Sequence, residues 1–264
     1  MRRQHLFEVE DLPWIPAWLR NLQTDFLRQM STSLQIYRPI VPLLERGLQA
    51  GASRCIVDLC SGGGGPWGQL LEEGWEVTVT LTDLYPNVAA FARLQAACPE
   101  RIAYCAEPVD AQQVPAHLEG MRILINGFHH FRPPAARAIL ADAVARRRAI
   151  GIFEIAERTP RTLLAALCGV PLLVFAITPW IRPLTCARLF WTYGVPLVPL
   201  SIVWDGLASV LRAYSREELA ELTAATGGGY HWECGRLVPP FPGVPVNFLI
   251  GWPAADQSDP RTGD

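Results

Sequence analysis

The sequence predicts an α/β protein, a three-layer sandwich around a mostly parallel seven-stranded sheet, and three observations predict it. Between residues 54 and 155, short β-branched runs alternate with helical stretches, the pattern of parallel strands joined by crossover helices. The first run ends in an acid and passes directly into four glycines at 62–65. Two more strand-like runs, at 230–237 and 246–252, close the chain and suit an antiparallel edge.

Residues 1–50 form a helical lead-in. Pro13, Pro16, Pro39 and Pro42 punctuate it, and Leu22, Phe26, Met30 and Leu34 recur at helical spacing. The half that follows, 51–159, carries strands at 54–59, 76–81, 102–105, 121–125 and 149–155. Helices are expected from Pro66, because proline suits a first helical turn, and at 88–97 and 135–147. Residues 160–214 break the rhythm: they are apolar, rich in proline and aromatics, and read as a cap inserted after the fifth strand. A closing helix and the last two strands occupy 215–253, and the polar tail from Ala254 is expected to fray. No internal repeat is visible, and 264 residues suit a single domain with a cap.

Composition removes several function classes. Half the residues are hydrophobic and 18% are charged, enough for a full core. A net charge of −2 leaves no footprint for nucleic acid, and Arg146, Arg147 and Arg148 read as a solvated helix end. All 23 basic residues are arginine. Without lysine there is neither Schiff-base chemistry nor the common phosphate-binding loop of nucleotide hydrolases. Seven cysteines without zinc spacing, and a start that lacks an apolar run, read as a reduced, cytoplasmic protein. Nothing here sets the oligomeric state.

The informative stretch is Asp58-Leu59-Cys60-Ser61-Gly62-Gly63-Gly64-Gly65. Glycines after a buried strand let the backbone approach a ligand and turn its amides inward. One candidate ligand is a dinucleotide: Gly63, Gly65 and Gly68 satisfy G-x-G-x-x-G, with Asp83 about 20 residues on. The other is a nucleoside with a charged tail.

The stretch resembles the first motif of Rossmann-like, class I methyltransferases that use S-adenosylmethionine. Asp58, Gly62 and Gly64 match it, Ser61 falls inside it, and Cys60 replaces the usual first glycine. The resemblance implies that Asp58 orients the cofactor's amino group. It also implies that Asp83, which ends the second strand, accepts the ribose hydroxyls, with Leu84 beside it. Glu107-Pro108-Val109-Asp110-Ala111, with Pro115 beyond, resembles the segment after the third strand, where Asp110 and Ala111 would meet the adenine. Asn126 resembles the polar residue of the fourth motif. A dinucleotide enzyme needs neither of these last two segments, and the methyltransferase reading is preferred to a nicotinamide oxidoreductase or a non-catalytic cofactor-binding or membrane-associated domain. The first motif, Leu81-Thr82-Asp83-Leu84-Tyr85-Pro86-Asn87 and Trp204-Asp205-Gly206 through Ser209, Leu211, Arg212 and Tyr214 are similar to a bacterial subgroup of unsettled substrate.

Methyl transfer is an in-line displacement, and a base is needed only where the acceptor must lose a proton. His129, His130 and Glu154 are the candidates, at the strand ends where such folds bind ligands. Glu154 and Glu157 could alternatively hold an acceptor amine or pair with Arg158. Two adjacent histidines lacking a third ligand nearby in sequence are too few for a metal. Asp205, Ser209 and Arg212 share a helical face and read as a local ion pair and cap.

The apolar stretch 163–181 has the length of a membrane span, but Gly169, Pro171 and Pro179 interrupt it. The later strands must also return to the same sheet. It is expected to cover the acceptor site, lined by Phe175, Trp180, Phe190, Trp191, Tyr193 and Trp204. Its rivals are a face resting on a membrane, plain core and a dimer interface. The expected acceptor is a small hydrophobic or aromatic molecule.

Overall fold

The computed structural model describes residues 1–72, 74–239 and 243–254, so the polar tail lies outside the described residues. Strands β1 (Cys55–Leu59), β2 (Thr78–Leu81), β3 (Ile102–Tyr104), β4 (Met121–Ile125), β5 (Ile150–Glu154), β6 (Tyr230–Leu237) and β7 (Val246–Pro253) form one sheet, ordered β3-β2-β1-β4-β5-β7-β6. β1 to β5 are parallel, while β7 runs antiparallel to both β5 and β6. Ile56, Val57, Asp58 and Leu59 are all buried, as a strand covered on both faces requires.

Helices fill both layers. α1 (Ala17–Ser33) and α2 (Val41–Ala50) form the lead-in, α3 (Trp67–Glu72) follows the glycines, and α4 (Val88–Ala97) and α5 (Pro133–Ala145) are crossovers. Asn87 caps α4, its side chain accepting from Ala90 N at 3.2 Å. One core cluster joins α1, α2 and α3 to one sheet face through Phe26, Leu44, Trp67 and Ile250. The second packs Ile139, Leu140, Leu219 and Leu222 on the other face.

The insertion is mostly helical. α6 (Pro160–Leu164), a π-turn at Ala165–Gly169 and α7 (Val170–Ile177) form one rod that a short turn extends to Trp180. α8 (Cys186–Leu189) and a second π-turn lead to α9 (Leu197–Arg212), and α10 (Arg216–Ala224) closes the layer with a Ser215–Glu218 capping box. Ala166, Val174 and Ile177 turn inward, while Leu164, Leu167, Leu172 and Phe175 are exposed. The rod therefore has two apolar faces, and the protein covers one.

The order puts the carboxyl ends of β1 and β4 side by side at the point where the winding reverses, which is where open α/β sheets bind ligands.

Candidate active site

The turn after β1 is left-handed at four places: Cys60 (φ +64°), Gly62 (+53°), Gly64 (+98°) and Gly65 (+54°). Glycine takes this conformation freely, but cysteine does not. Asn126, just after β4, is also left-handed at φ +52°. Two strained non-glycine residues at neighbouring strand ends are the mark of a site held by its surroundings. Ser61 Oγ donates to Asp58 O at 2.9 Å, and Gly64 N donates to Ser61 O at 2.8 Å. Asp83 clasps the turn from β2: Oδ2 accepts from Gly62 N and Oδ1 from Tyr85 N, each at 2.8 Å.

Asp58 lies beneath the turn. Its Oδ2 accepts from Trp67 Nε1 at 2.7 Å, while Oδ1 is buried without a hydrogen-bond partner. Burial pushes its carboxyl up to about 7, against the Trp67 hydrogen bond that pulls it down. Burial likewise holds the Cys60 thiol well above its ordinary range.

α1 roofs the turn. A Cβ on Gly63 would stand 2.6 Å from Thr24 O and 2.9 Å from its carbonyl carbon. Those are backbone atoms and cannot swing aside, so Gly63→Ala is expected to lift α1 and cost about 1–3 kcal/mol. A thermal melt reads this as a fall of several degrees; an unchanged Tm would show that the roof is not seated. The Arg20 guanidinium stacks on Tyr85, 3.9 Å from the ring centre, tying roof to floor.

Between roof and strand ends lies a cavity of about 260 Å³, lined by Cys60, Ser61, Gly62, Asp83, Leu84 and Asn126 among others. A second cavity of about 290 Å³ adjoins it under the cap, walled by Phe26, Ala166, Gly169, Leu173 and Ile202. Glu10, Leu27, Met30, Asn126 and Ile155 line both.

Glu10 belongs to a strap formed by residues 4–12, stitched across the strand ends. Val9 N donates to Asp205 Oδ1 at 2.5 Å, Gln23 Nε2 to Asp205 Oδ2 at 2.7 Å, and Arg212 Nε to Leu6 O at 2.6 Å. Burial raises Asp205 to about 6, with Glu8 adding to it and the Val9 bond opposing. The strap sets Glu8, Glu10 and Asp11 against the histidines. His129 is buried: Nδ1 donates to Glu154 Oε2 at 2.6 Å, and Nε2 lies 3.7 Å from Glu8 Oε1. His130 Nδ1 donates to Asp11 Oδ1 at 2.7 Å, with Nε2 3.5 Å from Glu10 Oε1. Burial opposes charge on His130, but Glu8, Asp11 and Glu10 together hold its affinity for a proton well above the ordinary value. Burial pushes Glu10 up to about 8, with His130 opposing. For Asp11 burial pushes upward, but His130 and Arg212 win and hold it low. Ligand atoms of Glu8, His129 and His130 fall within 4.8 Å of one another, so the strap supplies the third ligand that sequence spacing lacked. A cation already stands there: Arg212 Nη1 lies 3.0 Å from Glu8 Oε1.

Not every expected residue reaches the cavities. His130, Asp83, Leu84, Cys60, Ser61, Gly62 and Asn126 line the first cavity; Asp58, buried beneath the turn, His129 and Glu154 do not. Glu154 Oε1 instead accepts from Phe128 N at 2.6 Å and so holds the loop. Gly64 supports the turn from behind, where a Cβ would strike Leu94. The Asp110 carboxylate accepts from Gln112 N at 2.9 Å, within its own turn, and Ala111 is buried in the second core cluster. That turn is tied to the clasp, since Val109 N donates to Asp83 O at 2.9 Å. Glu157 pairs with Arg236 and Arg158 with Glu218, in place of the expected pair with each other. Asp205 and Arg212 bond to the strap and α1 rather than to each other, because their helical face turns toward the lead-in. Phe175, Trp180, Phe190, Tyr193 and Trp204 are exposed on the cap's outer side and do not line the second cavity. Trp191 is also absent from its walls and stacks on Trp18.

No protein-family model and no curated protein matches the sequence. Solved structures do match. The chain aligns with the pyocyanin biosynthetic protein PhzM at TM-score 0.51 and 14% identity, over 85% of this chain and 56% of that one. An O-methyltransferase family protein from Burkholderia thailandensis aligns at TM-score 0.48 and 16% identity, over 85% and 58%. The plantazolicin methyltransferase BpumL, in complex with SAH, aligns at 0.49 and 10%, over 93% and 98%. The chain thus spans a little over half the length of the first two. At these identities the likeness is one of fold: a Rossmann-like sandwich with an antiparallel edge.

Proposed function

We propose that this protein transfers a methyl group from S-adenosylmethionine to a small apolar acceptor. The observation that carries the reading is the pair of adjoining cavities: a polar one on the turn after β1, and an apolar one under the cap that shares its Asn126 and Ile155 wall. Bound there, the cofactor supplies a sulfonium methyl, whose bond to sulfur breaks as the acceptor's bond to carbon forms, leaving a neutral thioether.

The residues present fit such a ligand. Asn126 Oδ1 in the cavity wall and Asp58 Oδ1 beneath the turn are buried acceptors without a partner, and an ammonium group is a donor that suits them. Asp83 uses one lone pair of each oxygen on the turn, which leaves the others for two ribose hydroxyls. The turn at Val109 would border the adenine. The roof and strap exclude water and hold the acceptor in line, which supplies much of the acceleration in a displacement of this kind. Where the acceptor must lose a proton, Glu10, which lines both cavities, can take it once its carboxyl ionises as pH rises through about 8; His130 already holds its proton and offers a positive charge instead. His129 and Glu154 serve to hold the loop.

Calorimetry with S-adenosylmethionine, S-adenosylhomocysteine and NAD tests the reading. Micromolar binding of the adenosyl compounds supports it, and binding of NAD alone overturns it in favour of an oxidoreductase. Because Asp110 faces its own turn, Asp110→Ala is expected to weaken S-adenosylhomocysteine only severalfold, roughly the loss of one hydrogen bond. A loss matching that of Asp83→Ala would place the adenine contact on Asp110 itself.

A further inference from the structure

The outer side of the cap exposes many large apolar side chains. Leu172, Trp180 and Leu200 are 71%, 70% and 65% exposed, with Leu164, Leu167 and Phe190 also above half. Aromatic contacts pair side chains within it: Phe175 with Tyr193, Phe190 with Trp191, Trp191 with Trp18 and Trp204 with Phe7. Within the rod from Pro160 to Trp180 an 18-residue stretch has a mean hydropathy of 2.1, and only 22% of that stretch is buried. Soluble monomers rarely carry an apolar patch of this extent without a partner for it.

We propose that this surface docks the protein on an anionic lipid bilayer, with the outer face of the rod and Leu200 seated at the headgroup boundary. Charge selects the partner. From Arg158 to Trp204 the sequence holds four arginines and no acidic residue. Two are spent internally, Arg158 on Glu218 and Arg188 on Asp25. Arg161 and Arg182 remain exposed near the two ends of the rod. Lipid phosphates answer them. A second copy of the same face would bring arginines and no acids, a poor self-complement. Tryptophan and tyrosine among leucines, bordered by arginine, is the composition of helices that lie in the interface.

The rod lies on the bilayer rather than crossing it. Val174 and Ile177 are buried against the protein, and β6 and β7, which follow the cap, return to pair with β5. Ala166, Gly169 and Leu173, on the rod's inner side, wall the apolar cavity. One helix thus separates bilayer from cavity, which makes the acceptor a lipid-soluble molecule taken from the membrane. This last step rests on the methyl-transfer reading; the docking does not.

The test is flotation of the full chain with vesicles of phosphatidylcholine, alone or with a quarter phosphatidylglycerol. Binding to the anionic vesicles is expected, weakened by salt, and lost at least tenfold in the triple variant Leu172→Ser, Trp180→Ser, Leu200→Ser. Because those side chains point outward, its melting temperature checks that the fold is kept. A second variant, Arg161→Gln with Arg182→Gln, is expected to lose roughly fivefold per arginine on anionic vesicles only. Absence of vesicle binding overturns the proposal. So does a dimer, by light scattering, that the triple variant makes monomeric and that does not bind vesicles. S-adenosylhomocysteine binding without vesicles is read separately, so failure of the docking and failure of the methyl-transfer reading are distinguishable.

Discussion

Asp83→Ala is expected to weaken S-adenosylhomocysteine binding at least a hundredfold. The carboxylate has two tasks. It holds the turn by accepting from Gly62 N and Tyr85 N, and its remaining lone pairs face the cavity where the proposed ribose lies. Alanine removes both. Each hydrogen bond to a charged group contributes about 1.5–3 kcal/mol, and about 1.4 kcal/mol is tenfold in affinity. Two lost ribose bonds alone therefore reach a hundredfold, before the loosened turn is counted. Asp83→Asn should fall between, since it keeps one acceptor oxygen but offers a donor where a second amide needs an acceptor. Calorimetry of the three proteins checks the order, and wild-type affinity in Asp83→Ala would remove the ribose anchor from this residue.

Asp58→Asn is expected to stabilise the protein while impairing its binding site. Burial raises the folded acid from 3.8 to about 7, so the folded chain holds this proton more tightly than the unfolded one. The resulting stability is fully present below about pH 3.8 and is lost as pH rises through about 7. Asparagine cannot ionise and loses nothing over that window, while its oxygen can still accept from Trp67 Nε1. A tenfold difference in proton affinity between folded and unfolded chains is worth about 1.4 kcal/mol, so the variant should gain up to about 4 kcal/mol over wild type by pH 8. Melts across pH 5 to 9 read the divergence; parallel curves would mean that Asp58 is not buried as an acid. Affinity for S-adenosylmethionine should fall together with this gain if, as proposed, the charge that costs stability is the one that meets the ammonium. A destabilising acid kept at a site is a trade of stability for function.

The sheet was legible in the sequence because its signals are local. Each parallel strand is a short apolar run bounded by turn residues, and all seven fall within a few residues of their expected bounds. The turn at 58–65 and the clasp at Asp83 were legible for the same reason: glycine and acid at strand ends have few other uses. The strap was not. Glu8, Glu10 and Asp11 are three acids in a short lead-in, and nothing local ties them to His130 or Arg212. The one available signal was Asp205 and Arg212, buried charges on an apolar helix that need distant partners. The aromatics of the cap misled because composition does not say which of two apolar faces the protein covers. His129 and Glu154 misled because adjacency places both histidines at the strand end, while only the fold decides which one faces the cavity.

The strap also has a consequence in time. Its bonds to α9 join residues 195 to 206 positions apart, Val9 and Glu10 to Asp205 and Leu6 to Arg212, and Gln23 of α1 reaches the same Asp205 from 182 positions away. Loops of that length close late and slowly. On a growing chain the first dozen residues must wait for nearly the whole sequence before they find their place, and the helix above the glycine turn waits with them. The ligand chamber is therefore among the last parts of the molecule to be completed. A ligand that binds it would act on the final step of maturation, by trapping the closed end and slowing its reopening.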